Sequence, residues 1–309
     1  MKIRIGTGPG VGAGTAFGGS DGGAMFADYI DASERIGWDS LWFSERVAGN
    51  LLDPMAAMGV AIGRSQRLKY GHSVLVLPGR NPVLLAKELA TLDVLSKGRI
   101  VPVFGLGSPL PSEHELFGVT RKERAARTDE AVRLIVKLWT EDNVTFEGKF
   151  FTVHDVTLGP KPVQKPHPDV WFGGHSEAAC RRVGRIGTGW LPSFIAPSEY
   201  KARVDLIKAE AERNGREIEE DHYGALVAYI PPSGEAMTET VLSVIAARRP
   251  EVDPRDVVVT GGDDELRAKL EEIYAQGGSK FVVIPAVPPV DWTDELQRVH
   301  DNVVKPLEN

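Results

Sequence analysis

A strand–helix–strand pattern over residues 70–107 most constrains how this chain can fold. Two short apolar runs, residues 72–77 and 100–104, have the length and composition of buried strands. The segment between them predicts a helix that Asn81 caps, that carries leucines at helical spacing and that ends at Gly98. Strand, helix and strand within this length predict a βαβ unit with two parallel strands.

Short strand-like runs recur along the chain and alternate with segments of helical spacing. The eight runs comprise residues 3–5, 39–43, 72–77, 100–104, 169–172, 189–191, 222–230 and 281–284. Eight strands alternating with helices predict one α/β domain, a (β/α)8 TIM barrel spanning residues 1–309. The pattern is least regular after the fourth and the seventh strands, which predicts insertions there. A doubly wound open sheet is the alternative.

Composition and charge bound the partners that this chain can have. The net charge of −7 does not favour a nucleic-acid partner. Cys180 is the only cysteine, so no internal disulfide can form, and its place in an amphipathic helix predicts core packing. The N-terminal residues lack the apolar segment of a signal peptide, and no apolar run reaches the roughly 20 residues needed to span a bilayer. These features predict a cytoplasmic protein with no membrane partner.

Several common catalytic motifs are missing from the sequence. None of the seven histidines lies in an HxH or HExxH spacing or pairs with the cysteine, so we predict no metal centre. No GxSxG is present, which argues against an acyl-transfer serine. The glycines after the first strand lack both the P-loop pattern and the GxGxxG spacing, so a Rossmann dinucleotide site is unsupported as well.

In a barrel, ligands bind at the C-terminal ends of the strands. The fifth strand is followed there by a short run that opens a helix and comprises Gly173, Gly174, His175 and Ser176. Backbone N–H groups at such a helix start favour a phosphate, and a tight turn with a capping residue is the plain alternative. After the fourth strand, Gly107 would let a flat ligand approach the backbone, or it simply marks a turn.

Ionisable side chains follow the second and the fourth strands and are candidates for acid–base chemistry. They are Glu45, Arg46, Glu113 and His114. A carboxylate and a histidine near one barrel mouth would be able to exchange a proton with a substrate. The alternatives are a surface ion pair between Glu45 and Arg46 and a solvated helix start at Glu113.

Several longer motifs carry a family resemblance. They are RNP at residues 80–82, ATLDVLSKGR at 90–99, GLG at 105–107, VTFEGKF at 144–150, WFGG at 171–174 and GTGW at 187–190. Together they resemble the luciferase-like monooxygenase family over nearly the whole chain. The resemblance implies a (β/α)8 barrel that binds FMN or its deazaflavin relative, coenzyme F420, at the C-terminal ends of the strands, commonly as a homodimer.

The resemblance also assigns residues to the cofactor. It implies a cis peptide bond between Ser73 and Val74, whose bulge would support the middle of the tricyclic ring. Gly107 would lie beside the ring, and the phosphate or ribityl chain would lie near residues 173–176. Thr7, at the end of the first strand, completes the predicted cofactor site.

The two cofactors imply different chemistry. FMN has a nitrogen at its reactive ring position and can activate oxygen, whereas F420 has a carbon there and carries hydride only. The motifs at residues 92–107 and 171–174 are more similar to the F420-dependent branch. We therefore predict an F420-dependent oxidoreductase that transfers a hydride to or from a small organic substrate. An FMN-dependent monooxygenase is the alternative, and a non-catalytic flavin-binding barrel is a further one.

Two departures from the family pattern bear on the substrate. Sugar-phosphate dehydrogenases of the family have Asp–His after the second strand, where this chain has Glu45 and Arg46. They also have a glutamate just after the Gly-x-Gly loop, where this chain has Ser108. Because a permanently charged arginine is a poor base, these departures argue against a sugar-phosphate substrate.

Overall fold

The structure of this chain is a computed structural model. The structure describes residues 2–10, 14–108 and 111–308, with the side chains of all of these except residues 14, 15, 111, 112 and 114.

The strands are short, as expected for a barrel wall. They are β1 (Arg4–Thr7), β2 (Ser40–Phe43), β3 (Lys69–His72), β4 (Leu75–Val76), β5 (Ile100–Val101), β6 (Val103–Gly105), β7 (Val144–Glu147), β8 (Thr152–Val156), β9 (Trp171–Phe172), β10 (Gly189–Trp190), β11 (Gly224–Tyr229), β12 (Val258–Val259) and β13 (Lys280–Pro285). The described ladders are parallel, except that β7 pairs with β8 in an antiparallel hairpin.

The parallel ladders form two sheets, ordered β12-β11-β13-β1-β2-β3-β5 and β10-β9-β6-β4. β3 and β4 share one position in the wall, and so do β5 and β6, so the two sheets adjoin there. On the other side, isolated bridges join β10 to β11: Trp190 N donates to His222 O (3.0 Å), and Leu226 N donates to Pro192 O (2.8 Å). Eight wall positions therefore follow chain order around a ring, which confirms the (β/α)8 barrel over the open sheet.

Helices surround the wall. They are α1 (Gly14–Phe17), α2 (Gly22–Ile36), α3 (Pro54–Arg64), α4 (Pro82–Ser96), α5 (Pro111–Leu116), α6 (Arg124–Thr140), α7 (Glu177–Ile186), α8 (Pro197–Arg213), α9 (Thr238–Arg248), α10 (Pro254–Val257), α11 (Asp263–Tyr274), α12 (Trp292–Val299) and α13 (Lys305–Glu308). As predicted, Asn81 caps α4, and its Oδ1 accepts from Val83 N (2.9 Å) and Leu84 N (3.2 Å). No helix in the described ranges has the length and apolar character needed to cross a membrane.

Alternation along the strands divides the buried side chains between two cores. In β2, Leu41 and Phe43 pack with the surrounding helices, whereas Trp42 between them packs inside the barrel. Val103 and Val282 reach the same interior from β6 and β13. Among the described residues, side chains therefore fill most of the lower part of the barrel.

Insertions follow the fourth and the seventh wall strands, as predicted. The first contains α5, α6 and the β7–β8 hairpin, and the second contains a 3₁₀ turn (Pro232–Met237), α9, α10 and β12. Within the first insertion, Pro111 begins the short helix α5, a position that suits proline because no N–H partner is needed there. In the hairpin, the buried carboxylate of Glu130 accepts from Lys149 N (3.0 Å), Phe150 N (2.8 Å) and Phe151 N (2.8 Å), which fixes the turn.

Replacing Gly59 with alanine is expected to raise the free energy of unfolding by roughly 0.5–1 kcal/mol, because alanine restricts the unfolded chain and favours helix. Gly59 is exposed inside α3, and an added Cβ would contact only Leu92 Cδ2, at 4.0 Å. Urea unfolding followed by circular dichroism measures the change. Gly37→Ala is the contrasting variant: Gly37 ends α2 at φ 113°, so alanine there should lower the free energy of unfolding.

Candidate active site

A cavity of about 510 Å³ lies at the C-terminal ends of the wall strands. Its lining comes from the segments that follow β2, β6, β9 and β10, from the junction of β3 with β4, and from helices α5, α6, α7 and α9. The residues are Ser44, Glu45, Arg46, Ser73, Val74, Val76, Phe104, Gly105, Leu106, Gly107, Ser108, Glu113, Arg124, Phe172, Gly173, Gly174, His175, Ser176, Ala179, Arg182, Leu191, Ser193, Leu226 and Arg248. Ten of the twelve predicted site residues are among them.

The peptide bond between Ser73 and Val74 is cis, which confirms the predicted geometry of the third wall strand. The bond lies where β3 ends and β4 begins. Ser44 holds the junction from β2, because its Oγ donates to Ser73 O (3.3 Å) and lies 3.0 Å from Ser73 Oγ. Val74 lines the cavity and packs close to Gly105 and Gly173.

Glycines make room for Val74. A Cβ on Gly105 would lie 2.3 Å from Val74 Cγ2, and one on Gly173 would lie 2.6 Å from Val74 Cγ1. Gly107 has φ 82°, and a Cβ there would lie 3.0 Å from Val76 Cγ1. All three glycines thus face a protein side chain at the cavity, Gly105 and Gly173 facing Val74 and Gly107 facing Val76.

Glu45 is held by its neighbours on both sides. One carboxylate oxygen pairs with Arg80, and the other accepts from Val76 N (2.5 Å). Its side chain is buried, and burial raises its pKa, although Arg80 acts in the opposite direction. The surface ion pair between Glu45 and Arg46 is therefore wrong. The carboxylate instead ties the end of β2 to β4.

Arg46 pairs with Glu113 across the cavity, with 3.8 Å between Arg46 Nη1 and Glu113 Oε1. Glu113 is only 5% exposed, so the alternative of a solvated helix start is wrong. A buried carboxylate beside a cation in a cavity is a candidate for proton exchange. The side chain of His114 lies outside the described part of the structure.

The segment before α7 forms one wall of the cavity. Ser176 caps the helix, and its Oγ accepts from Ala179 N (3.3 Å). Gly174 has φ 87°, and its carbonyl accepts from Trp190 Nε1 (2.8 Å), which ties the turn to β10. Burial and the nearby Arg249 lower the pKa of His175, so its imidazole is neutral at neutral pH. The turn therefore presents helix-start N–H groups and a neutral imidazole to the cavity.

Thr7 is the predicted site residue that the structure places elsewhere. Its Oγ1 donates to Val283 O (3.0 Å), and it lines a separate small space with Tyr29 and Trp38, beneath the helices. The predicted cofactor site and the observed cavity therefore differ at the end of β1.

Three arginines that line the cavity were not among the predicted residues. Arg124, from α6, donates through Nη1 to Leu106 O (3.3 Å), Gly107 O (3.4 Å) and Ser108 O (2.9 Å). Arg182, from α7, is 6% exposed, and its Nε donates to Asp129 Oδ1 (2.5 Å).

Arg182 and Arg248 make few polar contacts with the described residues. The Nη groups of Arg182 make no hydrogen bond with the described residues. Burial and the nearby Arg46 lower the pKa of Arg248, which α9 contributes from the second insertion. With Arg46, four arginines line a cavity whose two carboxylates, among the described residues, are Glu45, paired with Arg80, and Glu113, paired with Arg46. Such a lining favours a ligand with several negative charges.

Comparison with known families matches residues 3–280 to the model of the luciferase-like monooxygenases. The chain belongs to the luciferase-like monooxygenase family. The resemblance noted in the sequence is therefore confirmed.

Curated relatives within the family use different cofactors. The chain is 34% identical over 213 residues to an FMNH(2)-dependent dimethylsulfone monooxygenase from Pseudomonas putida, covering 68% of this chain and 56% of the relative. It is 34% identical over 175 residues to an F420-dependent glucose-6-phosphate dehydrogenase from Kineococcus radiotolerans, covering 53% and 51%. The chain thus spans about half the length of these relatives. Both relatives are enzymes that use a flavin-type cofactor. Because one uses FMNH(2) and the other F420, the comparison does not determine the cofactor of this chain.

Solved structures share the fold of this luciferase-like protein. An F420-dependent secondary alcohol dehydrogenase in complex with an F420-acetone adduct superposes with a TM-score of 0.82 over 100% of both chains. At 20% sequence identity, this similarity shows that the two proteins share the barrel fold and shows nothing about function.

Proposed function

We propose that this protein is an oxidoreductase that transfers a hydride between coenzyme F420 and a small organic substrate. The observation that carries the proposal is the cavity lined by Arg46, Arg124, Arg182 and Arg248. F420 carries a phosphate and, beyond it, a tail with several carboxylates, whereas FMN ends at its phosphate. Four arginines in one cavity suit the more anionic cofactor better.

The residues present fit a tricyclic cofactor with a phosphorylated side chain. Val74, which lines the cavity, would contact the ring, with Gly107 at its edge. The turn at residues 173–176 and the N–H groups of the first turn of α7 would bind the phosphate, with the Nη groups of Arg182 close at hand. We assign the carboxylate-rich tail to the two arginines at the rim, Arg46 and Arg248.

F420 supplies the hydride when bound, and the chain must manage the accompanying proton. We assign the proton to Glu113, which is buried, lines the cavity and faces Arg46. His114 remains a second candidate for this role. Glu45 is assigned a positioning role, because Arg80 and Val76 N already occupy its two oxygens.

An FMN-dependent monooxygenase is the second candidate. It is supported by the 34% identity to the FMNH(2)-dependent monooxygenase, and the same cavity would hold FMN with the phosphate at the turn before α7. A barrel that binds a flavin without turnover is the third. Steady consumption of reduced cofactor by the purified protein, with any substrate, would eliminate that third candidate.

Separate titrations with F420 and with FMN, read by quenching of cofactor fluorescence, decide between the cofactors. We expect saturable binding of F420 and weaker binding of FMN. Binding of FMN alone would overturn the proposal and favour the monooxygenase.

Replacing Arg248 with glutamine is expected to weaken F420 binding roughly tenfold at low salt, because one charge-assisted contact is lost. FMN, which lacks the carboxylate tail, should bind the variant and the unchanged protein equally. Arg255→Gln is the matched control, because Arg255 lies in the same insertion and pairs with Glu239 at 3.1 Å, away from the cavity. Equal losses for both cofactors in Arg248→Gln would place Arg248 at the phosphate instead.

We further propose that the protein forms a homodimer through α3 and α4. These adjacent helices carry exposed apolar side chains, with Val60 51% exposed, Leu84 63% and Leu95 62%. Exposed apolar side chains on neighbouring helices favour association. Analytical ultracentrifugation should give twice the chain mass, and a Val60→Glu, Leu95→Glu variant should sediment as a monomer. A monomeric mass for the unchanged protein at micromolar concentration would contradict the dimer.

A further inference from the structure

We propose that Arg249 is a positioning residue, which anchors the second insertion to the barrel and thereby directs Arg248 toward the tail of the cofactor. The second insertion extends from the 3₁₀ turn (Pro232–Met237) through β12, and it contributes Arg248 to the cavity lining. The anchor follows from the contacts of Arg249 alone. Its consequence for the tail rests on the proposed function, in which Arg248 binds the carboxylates of F420.

Each nitrogen of the Arg249 guanidinium has an acceptor, although the residue is only 3% exposed. Nη1 donates to Phe194 O, and Nη2 donates to both carboxylate oxygens of Glu199, at 3.2 and 2.9 Å. Nε donates to Glu251 Oε1 (2.5 Å). Because the guanidinium is planar and its donors have a fixed geometry, these acceptors hold the residue in one orientation.

Two of these acceptors belong to the barrel. Phe194 directly follows a residue of the cavity lining, and Glu199 lies in the first turn of α8. Glu199 is itself held in place, because its Oε2 also accepts from Ala196 N (3.3 Å). Glu251, the third acceptor, lies within the insertion, two residues beyond Arg249. Arg249 therefore ties the insertion to the segment between β10 and α8, which forms part of the cavity.

The anchor adjoins the residue that it positions. α9 ends at Arg248, and Arg249 leaves the helix with φ −132° and ψ 64°. The same helix packs against the barrel interior through Ile245, three residues before Arg248. Apolar packing is not directional, so it allows the end of a helix to turn, whereas hydrogen bonds to a guanidinium do not. The direction of Arg248 therefore depends on the contacts of Arg249.

Charge separates the roles of these two consecutive arginines. Arg249 lies between the carboxylates of Glu199 and Glu251, which offset its positive charge. Arg248 instead lines the cavity together with Arg46, where an anionic ligand meets its charge directly. Arg249 therefore affects such a ligand through the placement of its neighbour, and its own charge contributes little.

The anchor is tested without any cofactor by Arg249→Lys in the full-length protein. Lysine keeps the charge, but its compact ammonium group cannot reproduce the planar set of hydrogen bonds. Hydrogen exchange of the backbone amides of residues 238–248 should become roughly tenfold faster, because α9 opens more readily. Arg255→Gln is the matched control, since Arg255 pairs with Glu239 inside the same insertion, and it should leave this exchange unchanged. Equal exchange in Arg249→Lys and the unchanged protein would overturn the anchor.

Cofactor titration tests the consequence for the tail. Arg249→Lys should weaken F420 binding roughly tenfold and leave FMN binding unchanged, as expected for Arg248→Gln. In the Arg248→Gln background, Arg249→Lys should cause no further loss, because it acts through Arg248. An unchanged affinity for F420 in Arg249→Lys, or a full additional loss in the double variant, overturns the positioning role. If the unchanged protein does not bind F420, the proposed function fails instead, and the exchange experiment still decides the anchor.

Discussion

Replacing Gly105 with alanine is expected to weaken cofactor binding by about tenfold to a hundredfold. The added Cβ would lie 2.3 Å from Val74 Cγ2, so Val74 must move, and the cavity is the open side. Overpacking of this kind costs about 1–3 kcal/mol, and each 1.4 kcal/mol corresponds to a tenfold change in affinity. Quenching of cofactor fluorescence measures the loss.

Two further variants isolate the contact with Val74. Val74→Ala in the Gly105→Ala background removes the methyl groups that clash, so it should recover at least part of the affinity. Gly19→Ala is the control for a glycine-to-alanine change without a clash, because a Cβ on Gly19 would have no atom within 4 Å. If the double variant binds cofactor no better than Gly105→Ala alone, Val74 is not the group that transmits the effect.

The second large effect is a loss of folding stability at acidic pH. The free energy of unfolding is expected to fall by up to about 5 kcal/mol as pH drops from about 6.5 to about 3, through His72 alone. His72 is fully buried, its two ring nitrogens lack a hydrogen-bond partner, and burial together with Arg80 lowers its pKa from 6.5 to about 3. In this window the unfolded chain binds a proton that the folded protein cannot accept. The contribution is therefore fully present above pH 6.5 and is lost as pH falls.

His72→Leu should flatten this dependence, because leucine takes no proton in either state. Urea unfolding at a series of pH values gives the slope, which should decrease by about 1.4 kcal/mol per pH unit between pH 4 and 6. His154→Gln is the control, since His154 is exposed on β8. An unchanged slope in His72→Leu would show that His72 accepts a proton in the folded protein.

The fold could be predicted because its strands alternate with helices and have clear ends. All eight wall strands overlap the predicted runs, although the third begins at Lys69 and not at residue 72, and Asn81 caps α4 as expected. The start of α5 at Pro111 could not be predicted from the residues alone, because a proline at a first helical position and a proline in a loop look alike in sequence. Local pattern thus sets the elements, and ambiguous prolines limit their bounds.

The candidate site was predicted less completely, because a sequence does not show which way a side chain points. Thr7 comes from the correct end of β1, yet its hydroxyl bonds to Val283 O beneath the helices. Arg182 was missed although a signal existed. It lies among Cys180 and Val183 on the buried face of α7, where an arginine needs a specific partner or ligand. A charged residue inside an apolar stripe is the pattern that could have identified it.

The contacts of Arg124 affect how much of the backbone must become ordered when a ligand binds. One guanidinium on α6 holds the carbonyls of three successive residues, Leu106, Gly107 and Ser108. These hydrogen bonds hold this part of the cavity lining in place in the folded protein, without a ligand. Binding there should proceed with little loss of backbone entropy, so calorimetry should find that the ligand, more than this part of the lining, becomes ordered.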